Sequence, residues 1–281
     1  MSNLIEKAQS KKINPSELPS RWATPYAEAV TLLLEEESKH PPVIHNTGIR
    51  KLDQMTGGFR PGELIILSGP TKNGKTTFSQ TLTWNMAQKG INSLWFTMEM
   101  SWQELTKKFM DMDGKYRTDK TATEAPVYYP MQNINAGFGL TMEWLEEVVV
   151  EAKKRNGAKL VFIDHLHMLL PLGDYRQNVS HLIGSIVMEV KKIAVRHEVT
   201  IIMMAHTKKL ASDDVKPNIN DIRDSSFIAQ NSDYTIMIWR LKDKTTKQNT
   251  NNGRIEVAAN RRSGKTGCVD IYWDGRTFRD L

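Results

Sequence analysis

Five short runs of apolar residues, each bounded by polar or glycine-bearing segments, set the rhythm of the chain. Residues 63–68, 93–97, 160–164, 200–205 and 234–239 are too short for helices and show no alternating polar face, which predicts strands buried on both sides. Longer stretches with helical spacing lie between them. One runs over 76–89 and stops before Gly90, one follows Ser101 to about 112 with Glu104 at the capping-box position, one covers 142–156 before Gly157, and one covers 179–197. Strands alternating with helices predict an α/β domain whose central, mostly parallel sheet is flanked by helices. Residues 255–259 and 268–273 read as a terminal β-hairpin joined through 260–267, and 249–253 reads as a turn ahead of it. Residues 47–53 and 57–63 read as two glycine-bearing turns, and the turn-rich 113–139 carries no assignable chemistry.

The first 45 residues differ from the rest. Prolines recur there, and one helix is predicted over 25–38 with Tyr26, Val30, Leu33 and Leu34 on one face. Two readings of that stripe stand open: packing on its own domain, or docking on a neighbouring subunit as an arm. Pro41-Pro42 ends the segment, so residues 1–45 are expected to form an arm and 46–281 one domain.

Composition narrows the class. Of 281 residues, 40% are apolar and 25% charged, as in ordinary globular proteins, and no apolar run approaches the ~18 residues of a membrane span. The opening residues lack the apolar core of a secretory signal, so a cytoplasmic protein is expected. A single cysteine, Cys268, rules out an internal disulfide and a cysteine-based zinc ribbon. The net charge of +6 permits a nucleic-acid partner without requiring one.

The strongest chemical signal is Gly69-Pro70-Thr71-Lys72-Asn73-Gly74-Lys75-Thr76-Thr77, which has the spacing of a phosphate-binding loop between a strand and a helix. Such a loop turns backbone N–H groups and a helix N-terminus toward one point, where a triphosphate sits. Lys75 is expected at the β and γ phosphates of ATP, and Thr76 on Mg²⁺. Asp164 closes an apolar strand and is the expected second Mg²⁺ partner. Glu99 and His206 follow the ends of two other strands, so both are candidates to face the nucleotide, with a solvated glutamate and a structural histidine as the alternatives. His165 and His167 flank a leucine and suggest a metal pair, but no third ligand stands at suitable spacing. Residues 207–220, with Lys208, Lys209 and Lys216, read as a basic loop that is either simply solvated or in contact with a nucleic-acid strand. Arg176 lies in another polar loop, and Arg240 with Trp273 is the candidate pair to sandwich a base, Trp273 as plain core being the alternative.

Taken in order, these motifs resemble the RecA-like ATPase domain of hexameric replicative DNA helicases of the DnaB type, and are especially similar to the helicase part of mitochondrial Twinkle. The resemblance runs from Thr47 to the C-terminus. It rests on the Thr47 to Asp53 entry, Gly69 to Phe78, Leu94 to Ser101, Phe162 to Leu166, Ala205-His206, Asp221 to Ser225 and Asn260-Arg261. It implies a RecA-like P-loop fold, with Glu99 activating the attacking water, Asp164 as the acidic metal partner and His206 as sensor. It also implies an arginine finger at Arg261 acting on the neighbouring subunit, and a DNA-phosphate loop containing Arg223, Asp224 and Ser226, with Arg176, Lys208 and Lys209 adding charge. The family's lysine two positions before the finger is replaced by Ala259. Expected partners are single-stranded DNA, copies of the chain in a homo-hexamer with shared ATP sites, and a primase or other replication proteins, in a bacterial or phage-infected cell. The residues ahead of the domain match no ring-assembly or priming domain, which leaves open a minimal helicase or an isolated motor. The rival expectation is a RecA-like filament or loader ATPase that organises DNA or proteins without unwinding.

Overall fold

The computed structural model describes residues 26–113, 127–130, 141–170, 179–208, 216–222 and 225–281. It divides into two compact units, 1–43 and 44–281. In the first, α1 (Tyr26–Lys39) is the predicted amphipathic helix, with Tyr26, Leu33 and Leu34 exposed.

The second unit is built on a nine-stranded sheet. After α2 (Arg50–Thr56) come β1 (Leu64–Gly69), α3 (Lys75–Ala87), β2 (Asn92–Thr97), α4 (Trp102–Asp113), β3 (Val127–Tyr128), α5 (Met142–Asn156), β4 (Ala158–Asp164), α6 (Val179–Arg196) and β5 (Thr200–His206). The short α7 (Ser225–Asn231) leads into β6 (Tyr234–Lys242), β7 (Asn249–Asn260), β8 (Gly267–Trp273) and β9 (Phe278–Asp280). The sheet order is β3-β2-β4-β5-β1-β6-β7-β8-β9, parallel from β3 to β6 and antiparallel beyond.

The uniform apolarity of the central strands has a direct cause. Along β1, Leu64 and Ile66 join the core on one face while Ile65 and Leu67 join the other, and Val161/Ile163 against Leu160/Phe162 repeat the division in β4. Each buried side chain of this kind stabilises the fold by about 1.5–3 kcal/mol. Helices α5 and α6 cover the first face, and α3 and α4 the second.

Local capping follows the sequence. Ser101 and Glu104 form the reciprocal capping box of α4, Thr141 Oγ1 accepts from Trp144 N at the start of α5, and Gly157 ends α5 at φ 61°. Two readings are corrected. Residues 249–253 are strand, the first part of β7, because they pair with β6 on one side and β8 on the other despite their turn-like composition. Residues 50–56 are a helix, not a turn, entered where the Asp53 carboxylate binds Thr47 N and Oγ1 and closed by Gly57 at φ 68°.

Candidate active site

Strand β1 delivers the chain into the 69–74 loop and α3 begins at Lys75, so the first N–H groups of that helix have no intrahelical acceptor and point into the loop. Two glycines are dictated by space and torsion. A Cβ on Gly69 would stand 2.0 Å from the Ile238 carbonyl oxygen of β6, and Gly74 has φ 96° with the Phe278 ring 3.0 Å from where its Cβ would be. Asn73 ties the loop to the neighbouring strand, its Oδ1 accepting from Arg240 N at 3.0 Å and its Nδ2 donating to Thr71 O at 3.0 Å.

Lys75 is buried, and its Nζ donates to Gly69 O at 2.8 Å and Pro70 O at 3.2 Å. Burial pulls its pKa down to about 8, with Asp164 and Glu99 opposing. A desolvated ammonium held against loop carbonyls is strongly drawn to an anion that replaces them. Thr76 Oγ1 donates to Asp164 Oδ2 at 3.0 Å. Asp164 is 3% exposed, and burial raises its pKa while the Thr76 bond lowers it. A hydroxyl beside a carboxylate is the hard oxygen pair that Mg²⁺ takes together with phosphate oxygens and water, so these residues fit the ion.

The sheet order brings the ends of β2, β4 and β5 side by side. Glu99 Oε2 lies 3.4 Å from His165 Nδ1 and 3.7 Å from His206 Nε2, and the two imidazoles are 4.3 Å apart between ring centres. Burial first, then Lys75, lowers the His206 pKa to about 4, so this histidine is neutral near pH 7. The Asp164–His165 peptide is cis. Glu99, Lys75, Thr76, Asp164 and His206 thus share one edge. His165 belongs with them, signalled in the sequence by its place beside Asp164 and by its pairing with His167.

Arg240 and Trp273 also lie at this end of the sheet, but stacked on each other with the guanidinium 4.9 Å from the indole centre, and Arg240 Nε donates to Thr250 O at 2.8 Å. Tyr272 is exposed beside them. Arg261 is elsewhere. Asn260 pairs with Tyr234, which pairs with Ile65, so the β7–β8 turn sits at the amino end of β1, a strand length of roughly 15 Å from the loop. Arg261 is exposed there, and its backbone N donates to Asp233 O at 2.8 Å. Lys208 is exposed just after β5, and its backbone N donates to Asp221 O at 2.6 Å. Arg176, Lys209, Arg223, Asp224 and the side chain of Ser226 lie outside the described residues.

Among known proteins, the chain is 28% identical over 243 residues to the replicative DNA helicase DnaB of Geobacillus stearothermophilus, a match covering 80% of this chain and 53% of that protein. It is 27% identical to the replicative DNA helicase DnaC of Bacillus subtilis, over 80% and 53% of the two chains. The chain therefore spans about half the length of these curated relatives. Among solved structures, one of an isolated ATPase domain superposes with a TM-score of 0.74 at 20% identity, over 92% of this chain and all of that one. A KaiC-like protein from Pyrococcus horikoshii gives 0.60 at 16% identity, over 86% of this chain and all of that one. At such identities the likeness shows the fold: the α/β architecture expected from the strand and helix pattern, and its RecA-like form implied by the resemblance, are those observed. Since the family model described as DnaB-like helicase C terminal domain matches residues 45–280, and the loop, acid and glutamate stand at one sheet edge, the chain belongs to that family.

Proposed function

We propose that this chain is an ATP-hydrolysing motor that assembles as a ring, moves along single-stranded DNA and separates the duplex ahead of it. The observation that carries the reading is the Thr76–Asp164 contact beneath the phosphate loop with Glu99 at the same edge. In this reading Lys75 exchanges the Gly69 and Pro70 carbonyls for the β and γ phosphates of ATP. Thr76 and Asp164 hold Mg²⁺, which supplies charge neutralisation when bound. Glu99 accepts a proton from the attacking water, and neutral His206 donates to the γ phosphate.

Arg261 is assigned to the nucleotide of the adjacent subunit, supported by its exposure and its distance from its own loop. Arg176, Lys208, Lys209, Arg223, Asp224 and Ser226 are assigned to the DNA strand, and Arg240 with Trp273 to the adenine, which packs on the outside of the stacked pair. The protein acts in the cytoplasm of a bacterial or phage-infected cell, and among the described residues no helix is long and apolar enough to cross a membrane. A primase is a further partner, by analogy with a DnaB-like replicative helicase whose interactions with primase accompany its structure. That structure aligns with a TM-score of 0.74 at 20% identity, over all of this chain and 74% of that one.

The decisive experiment compares wild type with Lys75→Ala in DNA-stimulated ATP hydrolysis and strand separation. Both activities are expected to disappear in the variant, and unchanged turnover would refute the reading. A second reading, a filament or loader ATPase that does not unwind, is favoured by Ala259 at the family's lysine position. Arg262, beside the finger, binds the Thr56 and Gly58 carbonyls and Glu63. Negative-stain images with an ATP analogue and DNA separate the two: closed rings support the motor, open filaments the rival.

A further inference from the structure

The lone pair of histidines visible in the sequence, His165 and His167, is not the grouping that folding makes. His165 meets instead Glu99 from the end of β2 and His206 from the end of β5, and one donor atom of each residue lies within 4.8 Å of those of the others. His167 stands at the rim, its ring 5.6 Å from that of His165 and 6.3 Å from that of His206. Glu99 Oε2 is 3.4 Å from His165 Nδ1 and 3.7 Å from His206 Nε2. A tetrahedral centre with bonds of roughly 2.0–2.1 Å sets neighbouring ligand atoms roughly 3.3–3.5 Å apart. The Glu99 to His165 separation already has that spacing, and the Glu99 to His206 separation exceeds it slightly. His165 Nδ1, the atom that faces Glu99, is buried and satisfied by no hydrogen bond.

We propose that Glu99, His165 and His206 form a binding site for a first-row transition cation of the zinc class, and that its occupation brakes nucleotide hydrolysis. The site differs in chemistry from the Thr76 and Asp164 oxygens. Two imidazoles and one carboxylate suit zinc, cobalt or nickel, whereas Mg²⁺ prefers oxygen ligands. Three protein ligands leave a fourth position for water or a phosphate oxygen. A carboxylate committed to the cation no longer accepts a proton from water. The binding step stands without the ATPase reading, while the braking step rests on it.

The test starts with tag-free, nucleotide-free chain titrated with Co²⁺ and read by visible absorption, followed by Zn²⁺ competition against a chromophoric chelator. One saturable equivalent is expected. His165→Ala should weaken it more than about 100-fold, since even outer-shell partners of a metal cost about 10–100-fold. His181→Ala, an exposed histidine on α6, should bind as wild type does. His165→Cys should still bind and add a thiolate-to-cobalt charge-transfer band, a readout that a folding defect cannot imitate. Absence of saturable binding, or equal affinity in wild type and His165→Ala, overturns the site whether or not the chain hydrolyses ATP. In Mg²⁺-supported hydrolysis, micromolar Zn²⁺ should slow wild type and spare His165→Ala, and equal slowing of both overturns the brake.

Discussion

The two ends of the parallel sheet differ in what their polar residues touch. At the carboxyl end, Lys75, Asp164, Glu99 and His206 face one another and the loop, and three of the four have their pKa displaced by burial. At the amino end, polar groups are spent on holding the chain. Lys191 Nζ binds Gly62 O at 2.8 Å and Asp233 Oδ2 at 2.5 Å, and Asp233 Oδ2 also accepts from Leu64 N at 2.7 Å. Arg262 clasps the Thr56 and Gly58 carbonyls and Glu63, and buried His45 meets Thr200 Oγ1 at 3.2 Å. Groups paired within the chain stabilise a fold, even where one atom such as His45 Nε2 keeps no partner, whereas desolvated groups facing a shared point remain available for a ligand. Arg261 breaks the pattern, being a cation at the amino end with its side chain exposed.

That exception yields the largest expected effect. Arg261→Ala should lower steady-state ATP hydrolysis by about 10³–10⁵-fold, the range for an arginine finger, without changing the melting temperature. Mixing Arg261→Ala with Lys75→Ala subunits should restore part of the activity, since some interfaces then combine an intact loop with an intact finger. No recovery in assemblies shown to be mixed would return Arg261 to the purely structural end. Glu99→Gln, at the carboxyl end, should slow single-turnover hydrolysis by about 10²–10⁴-fold while ATP still binds, because an amide cannot take the water's proton. Normal turnover there would place the base elsewhere.

Changes at the amino end should read out in stability. Burial lowers the His45 pKa to about 4, below its ordinary 6.5, so between these values the unfolded chain takes up a proton that the folded chain refuses. Stability should therefore be lost as pH falls from 6.5 toward 4, by up to about 3 kcal/mol from this residue. Urea midpoints of wild type and His45→Gln across that range check it, the variant showing the flatter slope. Arg262→Ala should cost about 2 kcal/mol by removing its bonds to the Thr56 and Gly58 carbonyls and to Glu63, with ATP affinity unchanged. An affinity loss there would erase the distinction between the ends.

Much of this was legible before folding. Continuous apolar runs reported the two-sided core, because each strand alternates between two buried faces. Capping at Ser101 and Thr141 was legible because its hydrogen bonds span only a few residues. The strand assignment of 249–253 was not, since Asn-Thr-Asn-Asn-Gly has turn composition and only pairing with β6 and β8 extends it. Arg261 and Arg262 look alike as neighbours and both are exposed, yet Arg262 reaches back to three acceptors, the Thr56 and Gly58 carbonyls and Glu63.

The sequence by itself determined the phosphate loop, the strands that feed it and the acid that closes β4, since each is a contiguous segment whose spacing or apolarity dictates its conformation. Tertiary structure alone decided that Glu99, His165 and His206 meet, that Arg240 stacks on Trp273, and that Arg261 stands a strand length from its own loop. Those facts depend on strand order. Order is set by pairing between segments far apart in the chain, and no local pattern of residues encodes which strand end will lie beside which.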